Sequence, residues 1–408
     1  MDLHALRELQ NERLRRQVST VYAKVPFYRR LLDQHGVRPE DIRGVADLSR
    51  LPFTYKSALR DEYPFGLFAV PVREAVRLHC SSGTTGKPIV VGYTPHDIGV
   101  FSEVVARSLE AAGCRPGMKL QNAYGYGLFT GGLGLHYGAE RLGMTVIPIS
   151  GGNTDKQLML LQDFGAEAIC CTPSYALTLG EEVRKRGMAL SSLRYAILGA
   201  EPWTEAIRSE VETLLGVSAT NIYGLSEIIG PGVSQEDLEE KGTGSYVWED
   251  HFFPEVVDKE TGMPQPYGEP GVLVFTTLTK EAMPLLRYWT GDITSLHYGG
   301  RRPFVKMAPI MGRADDMLII RGVNLFPTQI EACLEGFGGH YQVVVAREGT
   351  LDTVMVRVEG DPGLQPAMEY RLKSATGLTI RVQVEAPGAI PRSEGGKLSR
   401  IMDLRKKT

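Results

Sequence analysis

The sequence predicts an α/β protein, with a large N-terminal domain of parallel sheets covered by helices, a β-rich subdomain, and a small α+β C-terminal domain. Three observations predict it. Residues 75–223 alternate short apolar runs with helical patterns, which implies a largely parallel sheet with helices on both faces. After about residue 245 the pattern turns β-rich, with GVLVFTTL the clearest strand. The tail changes again, to strands and helices that would make a separate unit of about 95 residues.

In chain order, Leu3, Leu6, Leu9, Leu14, Val18 and Val21 recur at roughly helical spacing and predict an amphipathic first helix. VRLHC and PIVVGYT flank a glycine-rich loop. Thr94 as N-cap and Pro95 at the first helical position open a helix through Ala112. Then come MTVIPIS, a helix near 154–164, AEAICC, a helix near 174–186, LRYAILG, a helix near 204–215, and SATNIYG. The charged segment GRADD, residues 312–316, separates the last two patterns and sets the domains at 1–312 and 313–408. Beyond it lie MLIIRG, a helix near 327–335, QVVVAR, TVMVRVEG, a helix near 365–376, and TIRVQVEA.

Composition narrows the function classes. A chain of 408 residues is too long for one hydrophobic core. A formal net charge of −3 gives no long-range attraction to nucleic acid or anionic membranes. The five cysteines, Cys80, Cys114, Cys170, Cys171 and Cys333, are odd in number and form no CxxC, so reduced buried thiols are expected. The amino terminus is charged with no apolar core, and no run of about 18 apolar residues follows, so a cytoplasmic protein is expected. The 46 glycines concentrate in loops, where backbone would approach a ligand closely.

Ser81-Ser82-Gly83-Thr84-Thr85-Gly86-Lys87-Pro88 combines convergent backbone N–H groups, hydroxyls and a cation, the ingredients of a phosphate cradle. It is not a Walker A loop: Ser81 stands where the first glycine belongs, and Pro88 follows the lysine. A plain hairpin turn is the alternative. Tyr124, Gly125, Tyr126, Gly127, Leu128, Phe129, Thr130, Gly131 and Gly132 alternate rings with glycines, so a flat ligand could lie against backbone with rings at its edges. Ordinary helix–sheet packing is the alternative there, and His136 reads as structural.

SSGTTGKP is similar to the phosphate loop of the adenylate-forming superfamily, and the rest of the chain resembles its phenylacetate–coenzyme A ligase branch. The matching stretches are VPFYRRLLDQHGV, YPFGLFAVP, AYGYGLFTGGLGLHYGAERLG, GAEPWTEAIR, NIYGLSEIIGPGV, TTLTKEAMPLLRYWTGD and GRADDMLIIRGVNLFPTQIE, in the expected order. The resemblance implies that ATP and an aromatic carboxylic acid give an acyl-adenylate and pyrophosphate, after which a thiol displaces AMP. It implies ATP, Mg²⁺ and coenzyme A as cofactors, with a carrier-protein phosphopantetheine or an amine as the alternative acceptor. An acyl carrier protein and a second copy of the chain stay open as partners. A non-catalytic nucleotide sensor is the alternative of another class, and retention of Lys87, Glu227, Asp292 and Lys397 speaks against it.

By resemblance, Ser81 to Lys87 hold the β- and γ-phosphates, and Glu227 holds Mg²⁺ against them. Tyr223 packs on adenine, and Gly199, Ala200, Glu201 and Pro202 run along its edge. Asp292 accepts from the ribose hydroxyls, with Arg313 beside it. Lys397, in PRSEGGKLSR, bridges the substrate carboxylate and the α-phosphate. Asp315 is the hinge on which a mobile small domain turns, and Arg321 and Gly322 line the thiol channel. Tyr124, Tyr126, Gly127, Phe129 and Gly131 are the acid-pocket residues.

Two departures stand out. Many members of the branch carry a structural zinc site, whose four positions here read Asp237, Tyr246, His297 and Gly299. Only His297 is of the cysteine or histidine kind that fills structural zinc sites, and one of four is too few for a tetrahedral site, so no zinc is expected. Trp289 stands where arginine is usual, which bears on local packing or on a phosphate-side contact.

Overall fold

The computed structural model describes residues 2–80, 88–314, 318–320, 323–325, 327–348, 351–392 and 400–406. Ten α-helices lie among them: α1 (Leu3–Lys24), α2 (Pro26–Gln34), α3 (Lys56–Asp61), α4 (Pro95–Ala111), α5 (Thr130–Leu142), α6 (Thr154–Asp163), α7 (Pro173–Arg186), α8 (Glu205–Leu215), α9 (Pro327–Leu334) and α10 (Gln365–Thr376). Their ends follow local chemistry. Thr94 accepts from the Asp97 N–H, and the Asp97 carboxylate accepts from the Thr94 N–H, a reciprocal cap that starts α4. Thr172 and Thr204 cap α7 and α8 from one side only, each accepting from a backbone N–H three residues on, and Gly187 and Gly216 end them in the left-handed region. No helix among the described residues is long and apolar enough to cross a membrane.

A nine-stranded sheet forms the centre. Its order is Leu296–His297, Lys306–Met307, Ser245–Val247, Gly230–Glu236, Ser218–Leu225, Tyr195–Gly199, Ala168–Cys171, Lys119–Asn122 and Thr145–Ile147. The last five are parallel. The first four join them antiparallel, so part of the β-rich segment extends the main sheet. The rest of it forms a four-stranded antiparallel sheet from Phe252–Val257, Gly271–Thr277, Tyr288–Thr294 and Gly312–Arg313.

Both faces of the central sheet are covered, and adjacent residues on one strand serve different layers. Cys170 packs in the core that holds Val104 and Val105 of α4 and Leu135 of α5. Cys171 packs in the core that holds Leu158 of α6, Leu179 of α7 and Val211 of α8. The pleat therefore separates the two thiols that the sequence sets side by side. Burial pushes the Cys114 thiol up to about 12, and raises Cys170 and Cys171 as well. Cys80 is half-buried.

The tail builds its own sheet, in the order Arg381–Glu385, Leu351–Gly360, Gly338–Glu348 and Ile401–Asp403. Leu325, Ile330, Val343, Val356, Met368 and Leu372 share its core with α9 and α10.

Helix α5 has no counterpart in the sequence reading, and it corrects the expectation that glycines mark ligand-approach loops. A Cβ at Gly134 would lie 2.2 Å from the Phe101 ring, and one at Gly138 would lie 2.2 Å from Val105 Cγ1. These glycines sit four residues apart on one helical face and let α5 lie close against α4.

The turn before the four-stranded sheet carries a buried histidine. His251 Nδ1 lies 2.8 Å from Thr279 Oγ1, and Nε2 lies 3.3 Å from Asp250 Oδ2. Desolvation outweighs the nearby Asp250 charge and lowers its pKa from 6.5 to about 4. Between those values the unfolded chain binds a proton that the folded chain refuses, so stability is present above about pH 6.5 and is lost as pH falls towards 4. We expect a loss of about 2–3 kcal/mol over that window from this group. Urea midpoints at pH 7.5 and 4.5 check it. His251→Gln should flatten the slope, and an unchanged slope would rule His251 out as its source.

Candidate active site

Parallel strands deliver all their carboxyl ends to one edge, and the sequence-predicted segments leave the sheet there. The Lys119–Asn122 strand leads into the Tyr124–Gly132 segment, Tyr195–Gly199 into Ala200-Glu201-Pro202, and Ser218–Leu225 carries Tyr223 and runs on to Glu227. The chain first places Thr145–Ile147 on one side of Lys119–Asn122 and then Ala168–Cys171 on the other. Such a reversal opens a crevice at the strand ends, the usual ligand position in open α/β sheets.

Short contacts tie these segments together. Tyr124 Oη lies 2.6 Å from the Cys171 carbonyl and 3.1 Å from the Gly199 carbonyl. Thr130 Oγ1 meets Ser226 Oγ at 3.1 Å. The Leu128 carbonyl accepts from Cys80 N–H at 2.9 Å and faces His79 Nδ1 at 3.0 Å. The strand that precedes Ser81 is thereby fastened to the aromatic segment.

Within that segment the roles diverge. Tyr124 is buried, so its ring is held from behind by two strand ends. Asn122 Nδ2 donates to Tyr126 Oη at 2.8 Å, His136 Nδ1 lies 3.1 Å from it, and His136 Nε2 is 3.1 Å from Glu140. His136 thus orients Tyr126, in keeping with a structural reading. Phe129 is half exposed, and among the described residues nothing beyond their chain neighbours lies within 4 Å of where a Cβ would stand at Gly125 or Gly127. Gly131 leaves ordinary contact distance to Tyr124, 3.5 Å.

A second cluster gathers Tyr223, Asp292 and Arg313. Tyr223 Oη donates to Asp292 Oδ2 at 2.5 Å, and Arg313 Nη1 donates to Asp292 Oδ1 at 2.8 Å. Burial, reinforced by the Asp292 charge, holds the Tyr223 phenol well above its ordinary pKa. Glu227 is buried, with the Tyr288 hydroxyl donating to it at 3.4 Å. Tyr288 was missed in the sequence, though it shares the face of Asp292 at an even spacing on one strand. Ala200 takes φ +71°, a conformation that a residue with a Cβ rarely adopts. At Gly199 a Cβ would lie 2.1 Å from the Ile222 carbonyl oxygen, so the adjacent strand demands glycine. The Glu201 carboxylate accepts from the Ser174 N–H at the start of α7.

Trp289 points to the face opposite Tyr288. It packs against Phe53 (5.1 Å between ring centroids) and Tyr55 (5.7 Å), away from Glu227 and Asp292. The replacement of arginine is therefore a packing change. Ser81, Ser82, Gly83, Thr84, Thr85, Gly86, Lys87, Asp315, Arg321, Gly322 and Lys397 lie outside the described residues.

Residues 7–279 match the AMP-binding enzyme family, and residues 322–405 match the AMP-binding enzyme C-terminal domain. The phenylacetate–coenzyme A ligase of Thermus thermophilus is 61% identical over 98% of this chain and 97% of its own. The chain belongs to the AMP-binding enzyme family, in its phenylacetate–coenzyme A ligase branch. Among solved structures, 2-hydroxyisobutyryl-CoA ligase in its postadenylation state gives a TM-score of 0.92 at 26% identity, covering 99% of this chain and 90% of that one. The same ligase in its thioesterification state gives 0.75, covering 100% and 91%. As a phenylacetate–CoA ligase-branch enzyme, this protein is an AMP-forming acid–thiol ligase that works through an acyl-adenylate with ATP, Mg²⁺ and coenzyme A.

The branch's zinc positions hold another network here. Asp237 pairs with Arg302 at 2.9 Å, and Tyr246 Oη donates to Glu240 at 2.5 Å. Lys306 lies 3.8 Å from Glu240 and 5.0 Å from the centre of the Tyr246 ring. No group of three or more potential metal ligands occurs among the described residues. We expect elemental analysis of the purified protein to find no stoichiometric zinc, and a chelator to leave the melting temperature unchanged. One zinc per chain would overturn this.

Proposed function

We propose that the acid is aromatic, of the phenylacetate kind, and that the acyl group passes to coenzyme A. The observation that carries this reading is the Tyr124–Gly132 wall. Rings at 124 and 126 are fixed from behind, and among the described residues no more distant part of the chain crowds Gly125 or Gly127, which suits a flat ligand lying against that backbone. The Thermus relative, named as acting on phenylacetate, supports it.

Adenylation drives a carboxylate onto the α-phosphate, two anions that repel, so the chain's work is positioning and charge neutralisation. In this reading Ser81 to Lys87 hold the β- and γ-phosphates. Gly199 to Pro202 and Tyr223 receive adenine, and Asp292, its carboxylate oriented by Arg313, accepts from the ribose hydroxyls. Glu227, a buried carboxylate beside a phenol, has the hard oxygen chemistry that suits Mg²⁺. Mg²⁺ supplies charge neutralisation at the phosphates. Lys397 bridges the carboxylate and the α-phosphate. The small domain, divided from the large one after Gly312, turns at Asp315 for the second half-reaction, and Arg321 and Gly322 then line the thiol channel.

Pyrophosphate exchange across benzoates, phenylacetates, cinnamates, acetate and a long-chain fatty acid tests the acid. We expect planar aromatic acids to lead clearly, and a preference for an aliphatic acid would sink the assignment. Offering coenzyme A beside a phosphopantetheinylated carrier protein tests the acceptor.

Lys397→Ala tests the mechanism. Removal of one such charge contact costs about a hundred- to a thousand-fold in rate. Acyl-adenylate formation should fall on that scale while ATP still binds, and the variant should still make thioester from supplied acyl-adenylate. Equal losses in both halves would mean a general defect, and normal adenylation would make Lys397 a surface lysine.

A further inference from the structure

One carboxylate of the large domain receives two groups of the small domain. Glu181, on α7, has Oε1 3.2 Å from His340 Nε2 and Oε2 3.3 Å from Arg392 Nε. His340 is only 5% exposed, while Glu181 and Arg392 are half-buried. Arg392 is held in place from its own side. Its two terminal nitrogens donate to both oxygens of Glu359 at 2.8 Å each, and Ile390 N–H donates to the same carboxylate at 2.8 Å.

Burial disfavours the charge on Glu181, but His340 and Arg392 together hold its carboxyl below the usual range. A second arginine faces the same way: Arg400 pairs with Glu331, lies over the Tyr341 ring at 4.8 Å, and is further stabilised by the charge of Glu201 in the large domain. Arg392 and Arg400 stand five residues before and three after Lys397 in the sequence.

An exposed ion pair between long side chains is usually weak, because two flexible chains must be ordered to make it. Here the guanidinium is already fixed by Glu359 and the imidazole is buried, so little ordering remains when the domains meet. The arrangement in which the contact is made resembles one of the two states of a related ligase. The whole chain superposes far better on the postadenylation state of 2-hydroxyisobutyryl-CoA ligase than on its thioesterification state. A contact made in one of two states shifts the population towards that state.

We propose that Glu181 is a positioning residue for the first half-reaction: through His340 and Arg392 it holds the small domain against α7 in the arrangement adenylation requires. This rests on the reading that the small domain supplies Lys397 for that step. Glu181 is not among the residues assigned to the acid or the nucleotide, and its described partners are His340 and Arg392, so its effect belongs to the balance between domain arrangements.

The two half-reactions of Glu181→Ala, assayed separately on the full-length enzyme, test it. Alanine keeps α7 helical and removes both contacts. Acyl-adenylate formation should fall about tenfold, within the usual range for coupling between sites. The loss should sit in kcat, with the KM for ATP unchanged. Thioester formation from supplied acyl-adenylate should be unchanged or faster. Glu181→Gln, which keeps an acceptor but no charge, should lie between wild type and alanine. Wild-type behaviour in both halves, or equal losses in both, would overturn the proposal. Lys397→Ala in the same assays separates the two ideas, because normal adenylation there would remove the lysine's role, whereas wild-type Glu181→Ala beside a defective Lys397→Ala would remove the latch alone.

Discussion

The parallel register of five strands is the constraint on which the site depends. Tyr195–Gly199 pairs in parallel with Ala168–Cys171 on one side and Ser218–Leu225 on the other, so their last residues come level at one edge. Only then can the Tyr124 hydroxyl reach carbonyls at the ends of two different strands, 2.6 and 3.1 Å away. A one-residue slip in either pairing would turn alternate side chains to the other face and break both contacts. The aromatic wall, the Gly199–Pro202 segment and the Tyr223–Glu227 segment are neighbours because the hydrogen-bond ladder beneath them makes them so.

Much of this was legible in the sequence, and the failures have physical causes. Strand–helix alternation and the threonine cap at 94 read correctly because they are local features of the chain, whereas the caps at Thr172 and Thr204 came only with the structure. Helix α5 did not, because TGGLGLHYGAERL is rich in the residue least favoured inside a helix. Its stability comes from contact with Phe101 and Val105 on α4, which no window on residues 130–142 contains. The polar strand Lys119–Asn122 was missed for a related reason. Its Gln121 and Asn122 are buried and hydrogen-bonded across the fold, so they defeat an apolar pattern without breaking the sheet.

The candidate site was legible as motifs but not as contacts. The order of SSGTTGKP, GAEP, YGLSE and WTGD reveals the family, yet nothing in it says that Asp292 would meet both Tyr223 and Arg313. Tyr288 belongs to no motif of its own, and its neighbour Trp289, which departs from the family pattern, lies on the other face of the strand. The link from Glu181 to His340 and Arg392 spans 159 and 211 residues of chain, a separation at which sequence spacing carries no information.

The buried thiols have a consequence for chemoselectivity. An enzyme that makes an acyl-adenylate and awaits a sulfur nucleophile holds a reagent able to acylate its own cysteines. Cys114, Cys170 and Cys171 are wholly buried, and burial keeps them protonated. The thiolate is the attacking species, so these three are poor competitors with the incoming acceptor although two of them lie on a strand that ends at the site. Self-acylation is thus suppressed by the same cores that hold the sheet between its helices.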